Sequence, residues 1–466
     1  MDRSGNQLPV NANDDLSPDA YRCPGEKGAI SKAVHLGRLA AFYPACRQCP
    51  RRDETGTLSP RQVSQLAETQ ERVPRPSPFC DEGAAGVFLN DVTAALVCDI
   101  AGAFGAFTKG EQQKNGDKTG RPGDEETGRV VGSNFATNSK SQLPNLLVSQ
   151  APRLPGSVVL LSSDARPLTA ELVAAAAEGV RSVGCNVIDI GPATTACLAF
   201  AVRHLHADGG LAVGNPGDDP HSVGLKFFDA AARPLSAGGS LEPIIERYEA
   251  GDRKLSRRYG ELHRFQADAP YLAAMAERYH ALRPLKVAVD SASKPWTDYF
   301  QKLTVGTACE ILGRRTVRNE FPRQIRDDAA HLGVRIDGDG ETCRAFDEQG
   351  REISPDRLLF LLAKHAADEA NRLVAVETDT SPAVIEQLKQ HGMQIIAGGP
   401  RRAEMAAAMS QRNAMFGGGP SGRYWHAAFG VPLPDALMTV TELLQILSRS
   451  DEPFSRILDR ETKIAQ

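Results

Sequence analysis

The sequence predicts an α/β protein built from three successive units, and two observations carry that expectation. Short apolar runs alternate with stretches of helical periodicity, and the alternation restarts twice along the chain. Aromatic residues make up only 6% of the chain, which favours α/β over an all-β architecture. A length of 466 residues leaves room for about three domains of ordinary size.

In the first round, residues 94–107 read as an Ala-rich apolar helix and residues 157–163 (SVVLLSS) as a short buried strand. TAELVAAAAEGVRSVG follows as a helix that stops at Gly184. CNVIDIG, TTACLAFAVRHLH and GGLAVG then read as strand, helix and strand. Strands separated by helices in this way mean βαβ units and a parallel sheet covered on both faces. The second round has a helix over residues 271–282, a strand at 285–291 (LKVAVDS) and a later one within 333–340 (GVRIDGDG). The third starts at Arg372 with LVAVETD. It continues through a helix at 382–391, MQIIAGG, a helix at 401–411, AMFGGG and a helix over 434–448. Residues 109–150 are largely polar and rich in Gly, Lys, Asp, Asn and Ser, and are expected to be a flexible insertion. The expected domains are therefore 79–260, interrupted by that insertion, then 265–368 and 370–466.

Composition excludes several classes. A formal net charge of −4 gives no reason to expect nucleic acid or an anionic membrane surface as partner. The apolar run around Val158–Leu161 is far short of the roughly 20 residues that span a bilayer. The opening MDRSGNQLPVNANDD lacks the apolar core of a signal peptide. Nine cysteines, an odd number scattered over the chain, argue against a disulfide framework and for a reducing, cytoplasmic compartment.

Residues 1–78 stand apart as an N-terminal extension. Two helices are expected there, over 30–43 and over 57–73, the second started by Ser59 before Pro60. Cys46-Arg-Gln-Cys49 has the spacing that lets two thiolates grip one tetrahedral ion, with Cys23 as a third ligand and His35 or Cys80 to complete the set. Zinc is the first choice of ion, ahead of an iron–sulfur cluster, and the competing reading is a pair of free thiols.

Residues 209–228, GGLAVGNPGDDPHSVGLKFF, resemble the phosphoserine loop of the phosphoglucomutase/phosphomannomutase (α-D-phosphohexomutase) superfamily, roughly G-G-(apolar)₃-T-A-S-H-N-P-P-x-x-N-G-(apolar)-K. Gly209, Gly210, Pro220, Gly224 and Lys226 match, but Pro216 stands at the phosphate-carrying serine. Proline has no hydroxyl and cannot accept a phosphoryl group. FCDEGAAGVFLNDVT (79–93) is similar to the opening F-G-T-D-G-I-R-G, with Ala85 in place of its arginine. The text from Val159 to Gly210 is similar to the first-domain core and keeps Asp164 and Arg166, though Ser163 replaces an arginine. The resemblance covers residues 79–455 and implies three phosphohexomutase-type α/β/α domains, with no counterpart of the fourth, phosphate-binding domain expected.

The same resemblance assigns a metal loop and a sugar loop. IDGDGETCR (336–344) is similar to the D-G-D-x-D-R loop that holds Mg²⁺, so Asp337, Asp339 and Glu341 are the candidate ligands. Carboxylates on every second residue can converge on one hard cation, although Thr342 replaces the arginine. An acidic turn with no metal is the other reading. GGGPSGR (417–423) resembles the sugar-binding loop G-G-E-x-S-G-H, with Gly419 for the glutamate and Arg423 for the histidine. Ser421 and Arg423 remain as candidate substrate contacts, and Lys226 as the one surviving catalytic candidate.

The expected function is that of a phosphoglucomutase/phosphomannomutase-like protein that has lost phosphoryl transfer and keeps a binding or regulatory role in carbohydrate metabolism, with a sugar phosphate or a protein as partner. Two alternatives stand beside it. One is a divergent Mg²⁺-dependent sugar-phosphate intramolecular phosphotransferase using another carrier such as Ser222. The other is a metal-dependent protein-interaction module centred on residues 1–78.

Overall fold

A computed structural model describes residues 21–22, 28–40, 46, 49–71, 77–89, 91–119, 154–217, 219, 222–251, 254–313, 320–367 and 371–461. They fall into two compact units: residues 1–76 with 87–91, and residues 77–86 with 92–466.

The first unit contains helices α1 (Lys32–Ala40) and α2 (Pro60–Glu71), with Leu39, Cys46 and Leu66 in a small apolar core. Ser59 and Gln62 start α2 reciprocally. The Gln62 amide donates to Ser59 Oγ at 3.3 Å, and the Ser59 amide donates to Gln62 Oε1 at 3.0 Å.

The second unit carries three sheets. Its first runs through β1 (Phe79–Cys80), β2 (Gly83–Val87), α3 (Ala94–Thr119), β3 (Val158–Ser163), α4 (Thr169–Ser182), β4 (Asn186–Pro192) and α5 (Thr195–His204). It continues with β5 (Gly209–Gly214), β6 (Ser222–Asp229), α6 (Glu242–Glu249) and β7 (Leu262–Arg264), in the strand order β1-β2-β6-β5-β3-β4-β7. Strands β4, β3 and β5 pair in parallel as expected, and β6 returns antiparallel to β5, placing Lys226 opposite Ala212. Helix α3 is longer than the sequence suggested: residues 109–119, expected to be flexible, continue it. Lys109 Nζ donates to the Val183 carbonyl at 3.2 Å, anchoring that continuation beside α4. Residues 120–150 of the expected insertion lie outside the described residues. Helices α3 and α4 approach so closely that a Cβ on Gly179 would meet the Cys98 carbonyl oxygen at 2.1 Å.

The second sheet has the order β11-β10-β8-β9. It is built from α7 (Asp268–Ala276), β8 (Lys286–Ser291), α8 (Lys294–Thr304), β9 (Glu310–Gly313), α9 (Phe321–Asp327), β10 (Leu332–Ile336) and β11 (Cys343–Phe346). The third comprises α10 (Pro355–Ala366), β12 (Leu373–Val376), α11 (Pro382–Gln390), β13 (Gln394–Ala397), α12 (Arg402–Arg412), β14 (Phe416–Gly418), β15 (Trp425–His426), β16 (Leu433–Pro434), α13 (Ala436–Ser448) and α14 (Phe454–Glu461). Its strand order is β13-β12-β14-β15-β16. Helix α10 packs on α11, α13 and β14, so the third layer begins before residue 370, where the sequence put the boundary.

One apolar cluster runs through all three layers, including Leu198, Trp296, Phe300, Leu359, Leu437 and Leu444. At its edge the Tyr271 hydroxyl donates to Asp435 Oδ2 at 2.7 Å, while Asp435 Oδ1 caps α13 by accepting from the Leu437 and Met438 amides. This shared core brings the loops after β5, β10 and β14 to one place.

Candidate functional site

Three loops converge where the strands end. Asp164, after β3, organises the first. Its Oδ2 accepts from the Asn215 amide at 2.8 Å and from Arg166 Nε, and its Oδ1 accepts from Thr169 Oγ1 at 2.9 Å. Arg166 also donates to the Ser222 carbonyl at 2.9 Å. Pro216 is thereby fixed against β6, its Cβ 3.2 Å from where a Cβ on Gly224 would stand. The second loop, 337–342, is stitched to the first by the Gly338 amide, which donates to the Gly217 carbonyl at 2.9 Å. It is stitched to the third by the Cys343 amide, which donates to the Gly422 carbonyl at 3.0 Å. Ser162, Asp164, Thr195, Asn215, Pro216 and Lys226 help line the remaining cavity, which offers about 20 Å³ to water centres. That is room for about one water molecule.

The charges at this junction form one connected set. Lys226 Nζ lies 2.5 Å from Asp339 Oδ2, 3.1 Å from Glu341 Oε2 and 3.2 Å from Glu82 Oε2. Arg402 Nη2 donates to Glu341 Oε1 at 2.6 Å, and the Arg402 guanidinium carbon lies 5.4 Å from the Phe228 ring centre. Arg423 grips Glu82 through both terminal nitrogens and approaches Glu341 Oε2 with Nε at 3.4 Å. Three acids thus face three bases. Lys226 is 4% exposed, Arg402 2% and Glu341 0%.

The electrostatics follow from burial and pairing. Desolvation would lower the Lys226 pKa, but Asp339 and Glu341 outweigh it and raise it above the ordinary lysine value. Burial works against the charged form of Asp339 and Glu82 as well. Lys226 and Arg423 override it and hold both carboxyls below their usual range. Asp337 is pushed the other way: desolvation first, then its neighbour Asp339, raise it well above a normal aspartate. Its Oδ1 accepts from the Glu341 and Thr342 amides at 2.9 and 3.1 Å, so it shapes the turn.

The structure therefore brings Lys226, Asp337, Asp339, Glu341 and Arg423 together. Ser421 sits apart from that set. Its amide and hydroxyl both donate to Glu377, the residue after β12. Glu377, Glu82 and Arg402 are participants that sequence reasoning passed over. Glu82 had a signal, since it falls on the aspartate of the opening F-G-T-D-G pattern. The donor set as arranged does not fit Mg²⁺. Both Glu341 oxygens and one Asp339 oxygen are already engaged by protein cations, and a divalent ion would have to displace them. Among the described residues no three His, Cys, Asp or Glu side chains are placed to hold a metal ion.

In the first unit Cys46 and Cys49 are buried on one turn, the Cys49 amide donating to the Cys46 carbonyl at 3.2 Å. Cys23, the expected third zinc ligand, lies outside the described residues. His35 is engaged elsewhere: its Nε2 is 3.2 Å from the Glu54 carbonyl, and its ring stacks on Tyr21 at 4.1 Å.

The family models for phosphoglucomutase/phosphomannomutase α/β/α domain I and domain III match residues 127–253 and 354–464. The chain belongs to the phosphoglucomutase/phosphomannomutase family. Among curated relatives it is 27% identical over 348 residues to a phosphoglucosamine mutase of Synechocystis, covering 66% of this chain and 72% of that one. It is 25% identical over 340 residues to a phosphoglucomutase/phosphomannomutase of Thermococcus kodakarensis, with the same coverage. Of solved structures, a family protein from Burkholderia thailandensis superimposes with a TM-score of 0.67 at 19% identity, covering 83% of this chain and 80% of the other. A phosphomannomutase-type structure from Thermus thermophilus gives 0.65 at 15% identity, covering 84% of each chain. These likenesses fix the fold of this family member, and the three sheets of its second unit are the layers expected of it.

Proposed function

We propose that this family member has lost phosphoryl transfer and acts as a sugar-phosphate-responsive binding or regulatory protein in carbohydrate metabolism. The observation that carries this reading is Pro216, which the resemblance sets at the position of the phosphate carrier and which has no atom that can become a phosphoester. Two further features support it. The cavity beside Pro216 has room for about one water molecule. Asp339 and Glu341 of the metal loop are neutralised by Lys226, Arg402 and Arg423, so the charge compensation that phosphoryl transfer relies on is already spent inside the protein. Names of relatives such as phosphoglucosamine mutase point to phosphorylated hexoses or hexosamines as the ligand class. Among the described residues no helix is long and apolar enough to cross a membrane.

One observation favours the divergent phosphotransferase instead. The Ser222 hydroxyl donates to Asp219 Oδ2 at 2.8 Å, a pairing in which a carboxylate could take the proton of an attacking hydroxyl. Ser222 also shares a strand face with Lys226, four residues on. A coupled assay with glucose-1-phosphate, mannose-1-phosphate and glucosamine-1-phosphate, run beside phosphopeptide mapping of residues 209–228, separates the readings. The proposal expects background rates and no phosphopeptide. Turnover that Lys226→Ala abolishes, or phosphate on Ser222, would overturn it.

A further inference from the structure

We propose that the Lys226 ammonium is the resident cation of the acidic loop 337–341, and that this loop consequently has no place for a divalent metal while Lys226 is present. An ammonium carries three donors. Here three carboxylates from two separate segments receive it: Glu82 on the turn between β1 and β2, and Asp339 and Glu341 on the loop after β10. A side chain only 4% exposed has no water to fall back on, so its charge is answered entirely by those carboxylates.

The rest of the junction is arranged around the same occupancy. Arg402 takes the Glu341 oxygen that Lys226 leaves free, and Arg423 bridges Glu341 to Glu82. Glu82, Asp339 and Glu341 are thereby matched by an equal number of cationic groups. A divalent ion entering this set would add two positive charges to a balanced cluster. It would also need oxygens at roughly 2.0–2.1 Å that now accept hydrogen bonds from nitrogen. The backbone supports the substitution. Antiparallel pairing of β6 with β5 sets Lys226 opposite Ala212, on the face that looks onto the loop after β10. The cation therefore arrives from the first sheet, its acids from the first and second, and the two arginines from the third. The ammonium joins the layers directly, without any bound ion.

The test uses the full chain and Mn²⁺ as probe, followed by electron paramagnetic resonance and isothermal titration, with thermal unfolding in Mg²⁺ or chelator. Wild type is expected to bind no stoichiometric Mn²⁺ and to unfold at the same temperature under both conditions. Lys226→Met, which keeps the length and drops the charge, is expected to bind one Mn²⁺ at least about ten-fold more tightly than wild type, a change of about 1.4 kcal/mol. Stoichiometric Mn²⁺ on wild type that Asp339→Asn removes, or a folded Lys226→Met no better at binding Mn²⁺ than wild type, overturns the inference. If Lys226→Met does not fold, the wild-type measurements alone decide. The inference is independent of whether the chain is catalytically silent. A turnover measured in chelator would end the proposed function and leave Lys226 as the cation, whereas a bound metal on an inactive chain would do the reverse.

Discussion

The carboxylate of Glu377 fills the space that a side chain at Gly419 would need. A Cβ built on Gly419 would lie 2.5 Å from Glu377 Cβ and 2.6 Å from its Oε2. The Glu377 amide donates to the Gly418 carbonyl at 3.0 Å, so the ladder between β12 and β14 sets the acid beside the glycine loop. Gly419 stands where the sugar-binding loop that residues 417–423 resemble carries a glutamate, and here an acid from the end of β12 reaches that place. If this acid holds ligand hydroxyls, Glu377→Ala should weaken glucose-1-phosphate binding by about ten-fold, the usual effect of losing a charged hydrogen bond. Titration calorimetry on both proteins measures it. Putting the family residue back, Gly419→Glu, should destabilise by about 1–3 kcal/mol through overpacking, read as a lowered melting temperature.

Restoring the hydroxyl alone should not restore the reaction. Pro216→Ser supplies a nucleophile, but Lys226, Arg402 and Arg423 still neutralise Asp339 and Glu341. The coupled assay with glucose-1-phosphate should stay at background for Pro216→Ser, and mapping of residues 209–228 should find no phosphoserine. A rate clearly above wild type would show that the carrier was the single missing part.

The fold was legible where the physics is local. Strands buried on both faces become continuous apolar runs such as Val158–Ser163, and helices such as α5 announce themselves with a capping Thr194 and an apolar face. Helix α10 was missed because LLFLLA is apolar all round, which hides its period. Its Ser354 cap and Pro355 start were nonetheless in plain view. The polar end of α3 was misread because composition does not report the anchor from Lys109 to Val183, 74 residues away. The site was half legible. The acidic spacing of the metal loop and Lys226 could be seen, but their pairing spans 113 residues. Only the assembled sheets show that the lysine sits among those acids.

Acid should destabilise the third layer through His426. Its ring is buried with Nε2 3.0 Å from Thr439 Oγ1, and desolvation lowers its pKa to about 4. A histidine held neutral contributes no loss above its unfolded pKa near 6.5, but below that value the unfolded chain takes up a proton that the folded chain refuses. Stability should therefore fall as the pH drops from about 6.5 to about 4, by about 3 kcal/mol in all. Urea unfolding at several pH values measures the slope. In His426→Gln the slope over that window should be shallower by about one proton, and an unchanged slope would place the acid sensitivity elsewhere.

The pair of Arg402 and Glu341 should behave as a buried ion pair whose halves cannot be removed separately. Their side chains are 1% and 0% exposed, and among the described residues Arg402 Nε and Nη1 have no hydrogen-bond partner. The guanidinium therefore depends on Glu341 and the Phe228 ring face. Glu341→Gln leaves both Arg402 and Lys226 short of counter-charge in a dry site and should cost about 3–5 kcal/mol. Arg402→Met leaves Lys226 to balance Glu341 and should cost less, since the ammonium and Arg423 still face the carboxylate. In the double variant Arg402→Met/Glu341→Gln the two losses should fail to add, with a coupling of about 1–3 kcal/mol. Denaturant unfolding of the four proteins completes the cycle. Strict additivity would mean that Glu341 is held by Lys226 and Arg423 alone, and that Arg402 belongs to the packing of Phe228.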